Sequence, residues 1–221
     1  MCGRFVRSSS ADELARVFGV DNPGLDFKPS FNIAPTQTIL IINNDGNKQL
    51  GSCRWGLIPP WSKDPSIGSG MINARAETVD RKPSFKTPFK KYRCLIIADG
   101  FFEWEKEKTK KRPVYIRLRS HEPFGMAGLY SAWKSPSGEK TCTCTIITTE
   151  ANEILKPIHE RMPVIVPREE EDFWLDPGNQ DFERLKKMLK PYRGSEMEFH
   201  EVSTKVNSPS NDFADIISPV N

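Results

Sequence analysis

The chemistry of this chain starts at Cys2. It directly follows Met1, and a second residue that small normally allows methionine aminopeptidase to remove the initiator. The mature chain would then begin with a cysteine carrying an α-amine and a thiol on adjacent carbons. Such a 1,2-aminothiol traps aldehydes. The amine adds to the carbonyl and loses water to give an imine, and the thiol closes onto the imine carbon as a five-membered thiazolidine. Both groups titrate within reach of neutrality, about 7.7–8.0 for an α-amine and about 8.5 for a free thiol. A useful fraction of nucleophilic amine therefore exists at physiological pH. Position alone fits an ordinary frayed terminus equally well, so the residues downstream decide.

Aldehyde capture needs a proton donor to expel hydroxide from the carbinolamine. Glu103, set in Phe101-Phe102-Glu103-Trp104, is a candidate, because aromatic surroundings raise a carboxyl pKa toward neutrality. Alternation along a strand would instead turn it to solvent. His159, beside Glu160 and Arg161, is a candidate proton shuttle or a structural histidine near a helix end. Asn73, after a Gly-rich loop, offers an amide to orient the Cys2 amine, or simply caps a turn. Arg4, Arg75 and Arg161 suit bidentate phosphate binding. Trp61, next to two prolines, suits base stacking, or packs its loop down.

The elements that must position these groups are short. Ser10 and Glu13 form a capping box before Leu14, Val17 and Phe18 at helical spacing. Residues 21–37 read as an irregular connection. Strands are predicted over 39–42, from Cys53 to Leu57 after a turn at 43–47, and over 95–98, 114–118, 126–133 and 141–149. Residues 58–71 form a long Pro/Gly/Ser loop, and 83–92 a short basic amphipathic helix. The charged run Lys106–Arg112 reads as a solvated hairpin tip. A short helix is predicted around 151–155, a strand over 164–166, one or two surface helices over 169–190 and a late strand over 197–202. This pattern predicts a single α+β domain over 1–221, with a mainly antiparallel, barrel-like β core and a few peripheral helices.

Composition narrows the function. The chain has 221 residues, 28% of them charged, with a net charge of only +3, so an anion-binding surface must come from local clustering. No apolar run approaches the roughly 20 residues of a membrane span, and no signal peptide is evident. Five cysteines at irregular spacing without a CxxC pair argue against a disulfide framework or zinc ribbon and for a reducing cytoplasm. Cys142 and Cys144 share one strand face and are read as core. No metal cluster, phosphate loop or dinucleotide motif appears, so neither metal nor cofactor is expected.

Six segments together resemble the SOS-response-associated peptidase (SRAP) family. They are Met1-Cys2-Gly3-Arg4-Phe5, Asn32-Ile33-Ala34-Pro35, Trp55-Gly56-Leu57-Ile58-Pro59-Pro60-Trp61, Ile72-Asn73-Ala74-Arg75-Ala76-Glu77-Thr78, Asp99-Gly100-Phe101-Phe102-Glu103-Trp104 and Ile158-His159-Glu160-Arg161-Met162-Pro163. They occur in the family's order and span nearly the whole chain. The resemblance implies a monomer that crosslinks itself to abasic sites in single-stranded DNA. Cys2 would be the nucleophile, positioned by Asn73. Glu103 would be the general acid/base, and His159 would assist sugar ring opening. Arg4, Arg75 and Arg161 would hold phosphates, with Trp61 and Trp104 along the DNA path. A bacterial member of the family has two tryptophans in a row in the loop, whereas Ser62 follows Trp61 here. Two other readings stay open: a cysteine peptidase confined to self-processing, and a nucleic-acid-binding module without covalent chemistry, its affinity carried by Lys82–Arg93.

Overall fold

Short β-branched and aliphatic runs make strand the commonest regular structure of the chain. The computed structural model describes residues 2–21, 27–107 and 110–220. Met1, on which the expected processing turns, lies outside them, as do residues 108 and 109 of the expected hairpin tip and residues 22–26. In chain order the elements are β1 (Phe5–Arg7), α1 (Ala11–Phe18), β2 (Ser30–Ile33), β3 (Thr38–Asn44), β4 (Lys48–Trp55), β5 (Asn73–Arg75), α2 (Pro83–Lys91) and β6 (Arg93–Ala98). Then come β7 (Gly100–Glu107), β8 (Lys110–Leu118), β9 (Phe124–Lys134), β10 (Lys140–Glu150), β11 (Arg161–Pro163), α3 (Glu171–Leu175), α4 (Phe182–Lys187) and β12 (Met197–Glu201).

Five strands close a ring in the order β10-β4-β3-β6-β9 and back to β10. The distal end of β10 runs past the ring and takes β5 on one side and β11 on the other. A second sheet, β12-β8-β7-β1-β2, is antiparallel throughout. Among the described ladders only β10–β4 and β10–β5 are parallel. The α+β, mainly antiparallel, barrel-like architecture is therefore as the sequence predicts.

Both faces of the ring strands are buried, and the period of two sorts them. Ile39, Ile41, Trp55, Ile96 and Met126 cluster with Phe5, Phe101 and Ile116 of the second sheet. Leu40, Ile42, Leu95 and Ile97 cluster instead with Leu14 and Phe18 of α1, Phe89 of α2 and Trp174 of α3. Each such side chain contributes roughly 1.5–3 kcal/mol by leaving water. α1 begins where predicted: the Ser10 hydroxyl accepts from the Glu13 N–H at 3.2 Å, and Gly19 ends the helix at φ 61°.

Four expectations need correction. Residues 30–33, read as irregular connection, form β2, because β1 supplies an antiparallel partner. Residues 151–155 are turns, not a helix. The Asn152 side chain accepts from the Leu155 N–H at 3.1 Å and donates to the Tyr192 carbonyl at 2.8 Å, and the backbone bonds from the Lys156 N–H to Asn152 and from the His159 N–H to Leu155 close isolated turns rather than a helix. The strand placed at 164–166 is found at 161–163, paired with Thr148–Glu150. Finally, Cys53 and Cys142 are joined by a disulfide, with Cα atoms 4.7 Å apart. Their separation of 89 residues hid the pairing, which follows from β4 and β10 lying side by side.

Candidate active site around Cys2

β1 carries Cys2 into the molecule. Its register with β7 pairs Phe5 with Phe101, and the Phe102 N–H donates to the Arg4 carbonyl at 2.9 Å. Continued toward the terminus, that antiparallel register lays Gly3 along Glu103 and Cys2 along Trp104, with Glu103 near enough to act on the Cys2 thiol. Cys2 is fully buried in the cluster that holds Phe5, Trp55 and Phe101. Burial pushes its thiol well above the ordinary value, and the adjacent Glu103 charge pushes the same way. The thiol is therefore protonated at neutral pH.

Alternation suggested that Glu103 would face solvent, yet it is only 4% exposed. Both faces of β7 are covered. Phe101, on the Glu103 face, packs with the barrel, while Phe102 packs with Tyr115, Val202, Val206 and Ile216. Burial raises the Glu103 pKa, opposed by nearby positive charge that includes His159. A carboxyl in such a place holds its proton toward neutrality and can donate it.

Asn73 reaches the same point from the barrel. β5 aligns it with Ile146 of β10. The preceding Ile72 carbonyl is pinned by the Trp55 indole N–H at 2.9 Å and the Ile146 N–H at 3.1 Å. The Asn73 Nδ2 donates to the Cys2 carbonyl at 2.9 Å. Its Oδ1 is buried and has no hydrogen-bond partner among the described residues, leaving one acceptor unused.

His159 is half-buried just before β11. The Arg161 N–H donates to His159 Nδ1 at 3.0 Å. In the neutral ring the proton then sits on Nε2.

The three arginines stand in different states. Arg75 is exposed on β5. Arg4 donates from Nη1 to Asn32 Oδ1 at 2.7 Å and to the Val206 carbonyl at 2.8 Å. Its guanidinium lies 5.9 Å from the Trp104 ring, and the Trp104 N–H donates to Asn207 Oδ1 at 2.7 Å. Arg161 grips both carboxylate oxygens of Glu77, at 2.6 and 3.1 Å, and the Thr148 carbonyl at 2.6 Å. Trp61 is 62% exposed. Ser62 anchors its loop, accepting at its carbonyl from the Trp133 N–H at 2.8 Å.

The fold thus brings Cys2, Asn73, Glu103 and His159 together, with Arg4 on the N-terminal segment beside Trp104 of β7, while Trp61 stands out on its loop. Asn32, Glu77 and Thr148 received no role from sequence reasoning. Asn32 is buried and also donates to the Ser208 and Asn211 carbonyls at 2.9 and 2.8 Å, so it ties the C-terminal segment to Arg4. Asn32 and Glu77 sit inside quoted motif segments, the one signal that pointed to them. Among the described residues no His/Cys/Asp/Glu group is disposed to hold a metal ion, and no described helix is long and apolar enough to cross a membrane.

Comparison with known proteins matches residues 1–209 to the family model described as "SOS response associated peptidase (SRAP)". The abasic site processing protein YoqW of Bacillus subtilis is 49% identical, with 98% of this chain and 99% of that protein covered. The abasic site processing protein HMCES of Gallus gallus is 32% identical over 100% of this chain and 78% of its own length. A crystal structure of a Bacteroides thetaiotaomicron protein superposes with a TM-score of 0.90 at 29% identity, over the full length of both chains.

Proposed function

The chain belongs to the SOS response associated peptidase family, and from that membership we propose that it processes abasic sites in DNA by capturing the open-chain sugar aldehyde at Cys2. The supporting observation is the burial of Cys2 beside Glu103, with Asn73 Nδ2 2.9 Å from its carbonyl. Once Met1 is removed, the Cys2 α-amine adds to the C1′ aldehyde. Protonated Glu103 donates to the carbinolamine hydroxyl, which leaves as water. The resulting imine carbon accepts the Cys2 sulfur. The thiol proton passes to the carboxylate just formed, and the imine nitrogen ends as the ring N–H. One water is released and a thiazolidine remains.

Asn73 holds the Cys2 backbone while that geometry forms. His159, with its proton on Nε2, hydrogen-bonds to the sugar ring oxygen during opening, and that oxygen takes up the proton the C1′ hydroxyl gives up. A thiazolidine lacks the imine that drives β-elimination, so the strand is shielded from scission. The peptidase reading requires a thiolate, and burial works against one here.

The substrate is read as single-stranded DNA, with Arg4, Arg75 and Arg161 toward phosphates and Trp61 and Trp104 along the strand. The protein is read as a single domain over 1–221, a cytoplasmic monomer that uses neither metal nor cofactor; the Cys53–Cys142 disulfide removes the cysteine ground for that compartment, which then rests on the DNA substrate. The deciding experiment mixes purified protein with a single strand carrying one abasic site and runs a denaturing gel without borohydride. Wild type gives a heat-stable protein–DNA band, and Cys2→Ala gives none. An equal band from Cys2→Ala, or no band from protein shown by mass to lack Met1, overturns the reading.

A further inference from the structure

The Arg161 guanidinium is already occupied. Its Nη1 and Nη2 meet the two Glu77 oxygens at 2.6 and 3.1 Å, and Nη2 also meets the Thr148 carbonyl at 2.6 Å. This is the two-pronged geometry in which arginine takes a phosphate. The Arg161 side chain is 16% exposed and that of Glu77 is 50% exposed. The carboxylate therefore caps the fork from the solvent side. Arg161 Nε is buried without a hydrogen-bond partner, so the fork keeps an unused donor. The Arg161 pair holds the Glu77 carboxyl below the usual carboxylate range, and the cap stays charged across neutral pH. Ala76 and Glu77 border a cleft of about 350 Å³ that Thr149, Glu150, Lys186 and Lys190 also line.

We propose that Glu77 is a specificity residue: in the DNA-free protein it stands where a backbone phosphate would bind Arg161, so a strand gains that contact only by displacing a carboxylate. An intact strand has nothing to offset the displacement, and its binding stays weak. A strand whose sugar is held at Cys2 presents its neighbouring phosphate at high effective concentration, and the exchange becomes intramolecular. Discrimination between damaged and intact strand then resides partly in the Glu77–Arg161 pair. Arg4 shows that the device is not general, because its partners are the neutral Asn32 amide and the Val206 carbonyl. This inference rests on the abasic-site reading for its substrate and deepens it.

The test measures non-covalent binding to an intact single strand by fluorescence anisotropy over a salt series, with crosslinking to the abasic strand in parallel. Glu77→Gln keeps the side chain's size and removes the charge. It is expected to bind the intact strand roughly 3- to 10-fold tighter, with a salt slope steeper by about 0.7, the value for one more phosphate contact on a single strand. Crosslinking to the abasic strand is read in parallel, and the preference for the abasic over the intact strand is expected to fall. Glu77→Asp, one methylene shorter, falls between the two. Arg161→Gln in the Glu77→Gln background abolishes the gain.

Glu150 lies opposite Arg161 in the β10–β11 ladder and lines the same cleft but does not occupy its Nη atoms, so Glu150→Gln removes a nearby negative charge without opening the fork and is expected to leave the slope unchanged. An unchanged slope in Glu77→Gln, or an equal gain in Glu150→Gln, overturns the inference. Failure of the wild type to crosslink overturns the abasic-site reading instead, and that is scored on a separate gel.

Discussion

Burial of Glu103 has opposite consequences for chemistry and for stability. Its carboxyl pKa is raised, so the native state keeps a proton that the unfolded chain gives up. The stability contributed by that proton is fully present below the unfolded value of about 4.3. It is lost as pH rises through the folded value. Glu103→Gln has no proton to lose, so its stability relative to wild type should be greater at pH 8 than at pH 4; urea unfolding at the two values measures this. The same substitution removes the acid that expels water from the carbinolamine. Crosslinking to an abasic strand should slow by at least about 100-fold, read as single-turnover band formation at neutral pH. Undiminished rates in the variant would assign proton donation elsewhere, with His159 next in line.

Between residue and fold, the connection from β4 to β5 delivers Asn73 and Trp61, and its closure depends on two glycines. Gly56 adopts φ +125°, and a Cβ there would lie 2.6 Å from the Gly68 carbonyl oxygen. The Gly56 N–H donates to the Cys144 carbonyl at 2.8 Å, and the Leu57 N–H donates to the Met71 carbonyl at 3.2 Å, so the loop folds back on its own base. Gly56→Ala combines a backbone conformation alien to L side chains with a backbone clash. It should cost about 1–3 kcal/mol, seen as a lower denaturation midpoint. Crosslinking should slow as well, because Asn73 starts where the loop ends. Gly68→Ala meets the same neighbour from the other side, 2.7 Å from the Gly56 carbonyl oxygen. The double variant should therefore lose less than the sum of the two.

At the scale of the molecule, the second sheet brings Cys2 and Glu103, and the barrel brings Asn73 and His159. The disulfide from Cys53 to Cys142 joins β4 to β10, the strand that carries β5 and β11 at its far end. Closing 89 residues of chain stabilises by at most about 4–5 kcal/mol in the chain-entropy view. Reduction should lower the thermal midpoint of the wild type and leave Cys53→Ala/Cys142→Ala unaffected. Cys2 is a free thiol apart from this pair, so crosslinking below the midpoint should persist in both states. Loss of crosslinking on reduction, with the fold intact by circular dichroism, would contradict that separation.

The sequence by itself determined the chemistry on offer, an aminothiol with a carboxyl, an imidazole and an amide, and most of the element order. Capping at Ser10, the apolar runs of β3 and β6, alternation in β10 and the turn at 43–47 are local signals, and local energetics suffices to read them. Only the tertiary structure decided which charges are free. Glu103 is buried because both faces of β7 are covered, the Arg161 fork is filled by a residue 84 positions away, and Cys53 finds Cys142 across 89. β2, short and paired with β1, went unread for the same reason. Each of these depends on the register between distant strands, and a periodicity confined to a few residues carries no information about which strand will lie alongside.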